Sequence, residues 1–281
     1  MGKLSQKMTR DMAIRGLKKN TQVLYLLAIR TLYEFYQTSP ELLSDDDVQR
    51  FIFSLIERDL AWGTINAYVA GLRFFYGKTL KQDLERFVIP CPKKRKKLPQ
   101  ILSCEEVRRV MGIIYNPQKD AFFKILYDTG VRGGEAVHLR VADIDRSNKR
   151  LWVRNGKGGT DRGVYLSPEV LEALTRYWRA FHFDGWIFPG PRNRNQPMSR
   201  DRALRWFHAL KKEAGITKEG GLHMWRHTYA THRLETGHDL YSIKKALGHR
   251  SIVSTMIYLQ LAHRPEDENS SLLNGLYDEN R

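Results

Sequence analysis

Cysteine is almost missing from the chain. Only Cys91 and Cys104 occur among 281 residues, and they form no CxxC pair. A disulfide scaffold and a cysteine-rich zinc site are therefore excluded. Long hydrophobic runs are missing too. The longest strictly apolar stretch, Val23 to Ile29, is seven residues, against the ~20 that a membrane helix needs. The first residues carry no apolar signal region, so secretion is not expected. The expected setting is the cytoplasm, with no membrane partner. Apolar residues are not scarce, at 42% with 11% aromatic, which excludes wholesale disorder.

Acidic charge is in short supply. The chain holds 47 Lys and Arg against 31 Asp and Glu, a net charge of +16. Such an excess points to a polyanionic partner, most often nucleic acid. Residues 1–90 carry 13 basic and 10 acidic side chains, and residues 98–281 carry 29 and 21. Between them Lys93, Lys94, Arg95, Lys96 and Lys97 form an unbroken basic run. Prolines at 90, 92 and 99 remove backbone donors, and like charges repel, so this stretch reads as an extended linker. A domain takes roughly 100–200 residues, so two domains are expected, over residues 1–90 and 99–281 with a basic linker at 91–98.

The first part reads as about four helices. Thr21 precedes an apolar stripe of Val23, Leu24, Leu27, Leu32 and Phe35. Ser44 with Asp45, Asp46 and Asp47 is a helix start, followed by Phe51, Ile52, Leu55 and Ile56 on one face. Thr64 leads Ile65, Tyr68, Val69, Leu72 and Phe75. The second part is mixed. Ser103, Glu105 and Glu106 open a helix, residues 121–127 form a second, and residues 135–139 belong to a third. Residues 149–154 and 163–166 read as strands joined by the turn Asn155-Gly156-Lys157-Gly158-Gly159, hence a hairpin. Ser167-Pro168-Glu169 starts another helix, and helices continue to Leu261. The tail from Arg264 is acidic and polar, then carries Leu272, Leu273, Leu276 and Tyr277 as a candidate short amphipathic helix that either docks on a neighbouring subunit or packs within its own chain.

Four stretches carry chemistry: residues 129–136 around Arg132, residues 156–162 with Lys157, residues 222–232 with His223 and Arg226, and residues 246–250 with His249, followed by Tyr258. Attack on a phosphodiester builds negative charge on the phosphate, which the planar forks of two arginines suit. A tyrosine hydroxyl can attack if histidines and a positive field assist it. A lysine on a hairpin can protonate the leaving oxygen. His223 and Arg226 are three apart and share a helix face. The His223–His227 spacing lacks the glutamate of a metalloprotease helix, and Arg226 would repel a cation, so no metal is expected. A strand rather than a helix follows Lys157, against a P-loop.

In order and spacing these residues resemble the signature of the tyrosine recombinase (phage integrase) family. Arg132 in Thr-Gly-Val-Arg, Lys157 in the glycine-rich turn, His223 and Arg226 in His-x-x-Arg, His249 in Leu-Gly-His and Tyr258 match its six positions. The helical first part is similar to that family's SAM-like core-binding domain. The box and linker resemble bacterial integrases carried by mobile elements. The resemblance implies a mainly α fold with a small β-hairpin or sheet, in a core-binding domain and a catalytic domain. It implies attack by Tyr258 to give a 3′-phosphotyrosyl bond and a free 5′ hydroxyl, with no cofactor, metal or ATP. It also implies a homo-tetramer on two double-stranded DNA recombination sites, a Holliday junction intermediate, and DNA clamped between the domains. Gly133-Gly134 depart from the family pattern and are expected to loosen Arg132, because glycine costs about 1 kcal/mol in a helix. Met224-Trp225 and Leu259-Gln260 also depart from it.

Two rival readings compete. Residues 240–256 resemble a helix-turn-helix, which would make the chain a regulator that binds without cutting. A type IB topoisomerase would share the chemistry but join no second duplex.

Overall fold

The computed structural model describes residues 2–84, 98–154 and 161–263. The basic run Lys93 to Lys97, the turn bearing Lys157 and the tail from Arg264 lie outside them. The chain divides into two compact units, Met1–Lys97 and Leu98–Arg281, each described by itself.

The first unit contains α1 (Gly2–Ile14), α2 (Lys19–Tyr36), α3 (Asp45–Glu57) and α4 (Trp62–Phe74), the last running into a π turn at Phe75–Thr79. In α1, Met8 and Met12 are one helical turn apart and both buried. Ser44 begins α3 as expected: its hydroxyl accepts from the Asp47 N–H at 3.2 Å, and Asp47 accepts from the Ser44 N–H at 3.0 Å. Ile65, Tyr68, Val69 and Leu72 of α4 are buried, as is Phe75 in the π turn. Of the expected stripe of α2 only Leu32 is buried. Val23 is 63% exposed, and Leu24, Leu27 and Phe35 are exposed as well, whereas Ala28, Ile29 and Leu32 face the core. The reason is close helix approach. A Cβ on Gly71 of α4 would lie 3.0 Å from the Tyr25 Cα and 3.2 Å from the Ala28 Cβ. Small residues at the crossing thus select the buried stripe. Ile56 also turns partly outward from α3.

The second unit begins with α5 (Cys104–Gly112), α6 (Pro117–Thr129) and the single turn α7 (Gly133–Ala136). Strands β1 (Ile144–Asp145), β2 (Arg150–Val153) and β3 (Arg162–Tyr165) follow, then α8 (Pro168–Phe181), α9 (Arg200–Glu213), α10 (His223–Glu235), α11 (Leu240–Leu247) and α12 (Val253–Met256). The expected hairpin is present, with β2 and β3 antiparallel and Leu151 opposite Val164. β1 adds a third strand that sequence reading did not anticipate, because two residues show no alternation. The expected third helix of residues 135–139 is shorter and begins earlier, at Gly133. Ser103 and Ser167 cap α5 and α8 with their hydroxyls. The helix-turn-helix reading fails on length: the second helix, α12, is one turn. Among the described residues no helix is long and apolar enough to cross a membrane.

One core element sets the site. Trp225 of α10 is fully buried, with its ring 5.5 Å from Phe123, 6.1 Å from Tyr127 and 5.6 Å from Phe207. This aromatic anchor fixes α10 against α6 and α9, and with it the helix face bearing His223 and Arg226.

Candidate active site

Arg132 sits where α6 ends and α7 begins. Gly130 ends α6 in the left-handed region (φ 63°), where a Cβ would fall 2.3 Å from the Tyr229 ring. Arg132 then serves as N-cap of α7. Its N–H donates to Glu135 Oε2 at 2.9 Å and its guanidinium to Glu135 Oε1 at 2.7 Å. The glycine pair therefore does not loosen Arg132. Gly133 is required instead by close approach, since its Cβ would meet the Leu222 Cβ at 2.9 Å.

Glu135 also accepts both guanidinium nitrogens of Arg162, at 3.2 and 2.6 Å. Arg162 Nε donates to the Ala246 carbonyl of α11 at 2.9 Å. Burial pushes the Glu135 carboxyl up, but the guanidinium of Arg162 and the donors of Arg132 pull it down to about 2. Arg226 of α10 is 1% exposed. Its terminal nitrogens donate to the carbonyls of Gly130 at 2.9 Å and Leu247 at 2.5 Å, and its Nε has no partner. Two arginines therefore share one carboxylate while Arg226 rests on carbonyls, and the pocket carries more positive charge than Glu135 balances.

Tyr258 lies on a 3-10 turn, Ile257–Gln260, and is 1% exposed. Its hydroxyl is 3.1 Å from His227 Nδ1. His249 follows Gly248, the left-handed residue that ends α11, and its ring lies parallel to that of Tyr258 at 6.5 Å. His249 Nδ1 pairs with Thr255 Oγ1 at 2.9 Å, which leaves Nε2 for a ligand. His223, at the solvent-exposed start of α10, meets the His227 ring edge-on at 4.6 Å. Burial, with Arg226 and Arg132 nearby, holds the His249 imidazole down to about 4, and desolvation with the neighbouring His227 and Arg226 also lowers that of the more exposed His223. Both are neutral hydrogen-bonding groups at neutral pH. Burial raises the Tyr258 hydroxyl, and Arg226 and Arg132 pull it back.

The structure thus brings together Arg132, Arg226, His223, His249 and Tyr258, drawn from residues 126 positions apart. Lys157 and the linker basics fall outside the described residues. Sequence reading missed Glu135 and Arg162 as parts of the cluster, and set His227 aside as structural or DNA-facing. The only sequence signal was the acid three residues after Arg132.

Residues 100–264 match the family model described as "Phage integrase family", and residues 4–86 match that of the "Phage integrase, N-terminal SAM-like domain". The chain is a member of the tyrosine recombinase family. A Sinorhizobium fredii homologue of integrase/recombinases is 38% identical to this recombinase over 93% of the chain and 85% of its own length. The tyrosine recombinase XerA of Pyrococcus furiosus is 31% identical over 94% of the chain and 92% of its own. A crystal structure of XerA recombinase is 26% identical, with a TM-score of 0.54 over 100% of this chain and 98% of that one. A lambda integrase dimer bound to a COC′ core site shares the fold, with a TM-score of 0.76 at 17% identity over 92% of this chain and 94% of that one. The recombinase is a DNA-binding enzyme that cleaves and rejoins strands at specific sites.

Proposed function

We propose that Tyr258 is the nucleophile, attacking the scissile phosphate to leave a 3′-phosphotyrosyl bond and a 5′ hydroxyl. Arg132 and Arg226 clamp the non-bridging oxygens and stabilise the charge that grows on them in the transition state. Neutral His223 and His249 add hydrogen bonds to the same oxygens. Lys157, which falls between β2 and β3 in the sequence, protonates the leaving 5′ oxygen. A 5′ hydroxyl from the partner duplex then reverses the step. One phosphoester replaces another of similar energy, so no ATP, cofactor or metal is consumed. The observation that supports this reading is one buried tyrosine flanked by His227 and His249, with Arg226 and Arg132 near enough to pull its pKa down and more positive charge in the pocket than Glu135 balances.

On the same reading, residues 1–90 form the core-binding domain and residues 99–281 the catalytic domain. Lys93, Lys94, Arg95, Lys96 and Lys97 in the linker 91–98 track the DNA backbone as the two domains clamp the duplex. Four copies act on two duplexes in the cytoplasm, and the tail around Leu272 to Tyr277 joins neighbouring subunits. The test is a nicked suicide duplex carrying the core site, mapped by footprinting of the flanking DNA. Wild type forms a covalent adduct that survives a denaturing gel. Tyr258→Phe binds the duplex and forms none; an adduct with that variant overturns the nucleophile assignment. Exchange of strands between two duplexes separates recombination from simple relaxation of supercoils.

A further inference from the structure

We propose that His227 is the base that takes the hydroxyl proton of Tyr258 during strand cleavage and returns it during rejoining. This rests on the reading of Tyr258 as nucleophile. Among the described residues His227 is the one group hydrogen-bonded to that hydroxyl, with Nδ1 3.1 Å from Oη and ring centroids 5.7 Å apart. That is within the reach a general base requires. The other histidines are placed differently. His249 stacks on the face of Tyr258 and spends Nδ1 on Thr255. His223 touches the ring of His227 rather than the phenol. Because Tyr258 is 1% exposed, bulk water is a poor substitute acceptor.

The chemistry needs such a group. A buried phenol stays protonated at neutral pH, since burial raises its pKa further than Arg226 and Arg132 lower it, and a neutral phenol attacks slowly. His227 is held down to about 4 by burial and the adjacent Arg226. It therefore faces the hydroxyl as a neutral imidazole, and the tautomer with its proton on Nε2 accepts through Nδ1. The titratable and charged groups around it are His223 and Arg226 on its own helix, Tyr258 from the 3-10 turn, and His249 across the Tyr258 ring. When a phosphate enters, its negative charge offsets Arg226, and His227 becomes a better proton acceptor at the moment of attack. The Oη–P bond forms as the Oη proton passes to Nδ1. The P–O5′ bond breaks with its electron pair on O5′, and O5′ receives a proton from the general acid, Lys157. Rejoining runs each transfer backwards.

The experiment uses the full chain and single-turnover adduct formation on suicide duplexes. One duplex carries an ordinary scissile phosphodiester, the other a 5′-bridging phosphorothiolate, whose thiolate leaves without protonation. His227→Asn keeps a hydrogen-bond acceptor facing Oη but takes up no proton; His227→Ala keeps neither. Melting and DNA affinity are matched to wild type first, and His227→Gln replaces Asn if Asn does not fold. The expected result is a loss of about 10²–10⁴-fold for Asn and Ala alike, on both substrates, with a variant rate that climbs with pH where wild type is flat. Lys157→Ala is expected to recover on the phosphorothiolate. A rate for His227→Asn within a few fold of wild type reduces His227 to a positioning residue and overturns the proposal. Recovery of His227→Asn on the phosphorothiolate overturns it as well, by assigning His227 to the leaving group. An adduct formed by Tyr258→Phe instead defeats the underlying nucleophile reading.

Discussion

Glu135 offers the sharpest test of how the arginine cluster is held. Its carboxylate accepts from Arg132 and Arg162 with its side chain 11% exposed. Its pKa falls from 4.5 to about 2 on folding. At 1.36 kcal/mol per unit, this linkage contributes about 3 kcal/mol. The folded carboxyl takes up its proton only near pH 2, whereas the unfolded one does so near 4.5. The contribution is thus complete above about pH 4.5 and lost as pH falls toward 2. Glu135→Gln keeps the shape, removes the charge and strands two guanidiniums, a change that costs about 3–5 kcal/mol when a buried pair is broken. Both routes predict that the variant's catalytic unit is about 3 kcal/mol less stable at neutral pH. In a unit of this size that lowers the melting temperature by about 6–12 °C. Urea unfolding of both proteins, followed from neutral pH through the carboxylate range, checks it. The gap is expected to close on acidification. A gap below about 1 kcal/mol at neutral pH, or one that ignores pH, refutes the assignment of Glu135 as the keystone of the cluster.

Three further outcomes are expected. Gly130→Ala places a Cβ against the Tyr229 ring at a positive φ, and thermal unfolding should show a loss of about 1–3 kcal/mol or more. Arg226→Ala should cut adduct formation about 10²–10³-fold with a smaller change in DNA affinity. Arg226→Lys should not restore the rate, because one ammonium lacks the fork that reaches two carbonyls. Neutralising Lys93, Lys94, Arg95, Lys96 and Lys97 should flatten the salt dependence of DNA binding, by up to about 4.5 in the log–log slope measured by anisotropy.

Local signals were legible in the sequence; contacts across the fold were not. Ser44, Ser103 and Ser167 announced their helices because a hydroxyl three residues before a free N–H is a local device. The two short apolar runs on either side of the glycine-rich stretch announced the antiparallel pair β2 and β3 in the same way. The inward face of α2 was misread, because the sequence offers larger apolar residues than Ala28, and only the position of Gly71 on α4 decides which side is approached. Arg162 and Glu135 are 27 residues apart, and His227 and Tyr258 31 apart. No periodicity or capping rule links such pairs. Arg132, Arg226, His223, His249 and Tyr258 were recognisable because each sits in a short motif whose neighbours shape it.

The two carbonyls that hold Arg226 belong to Gly130 and Leu247, where α6 and α11 finish. Each helix presents the negative pole of its macrodipole there, about half an elementary charge. The guanidinium is thus cushioned by fixed partial charges in place of a neutralising carboxylate. Its formal charge survives in a poorly polarisable interior and stays directed at whatever anion arrives. Unlike Arg132, which is paired with Glu135, Arg226 has no carboxylate to release when a phosphate arrives.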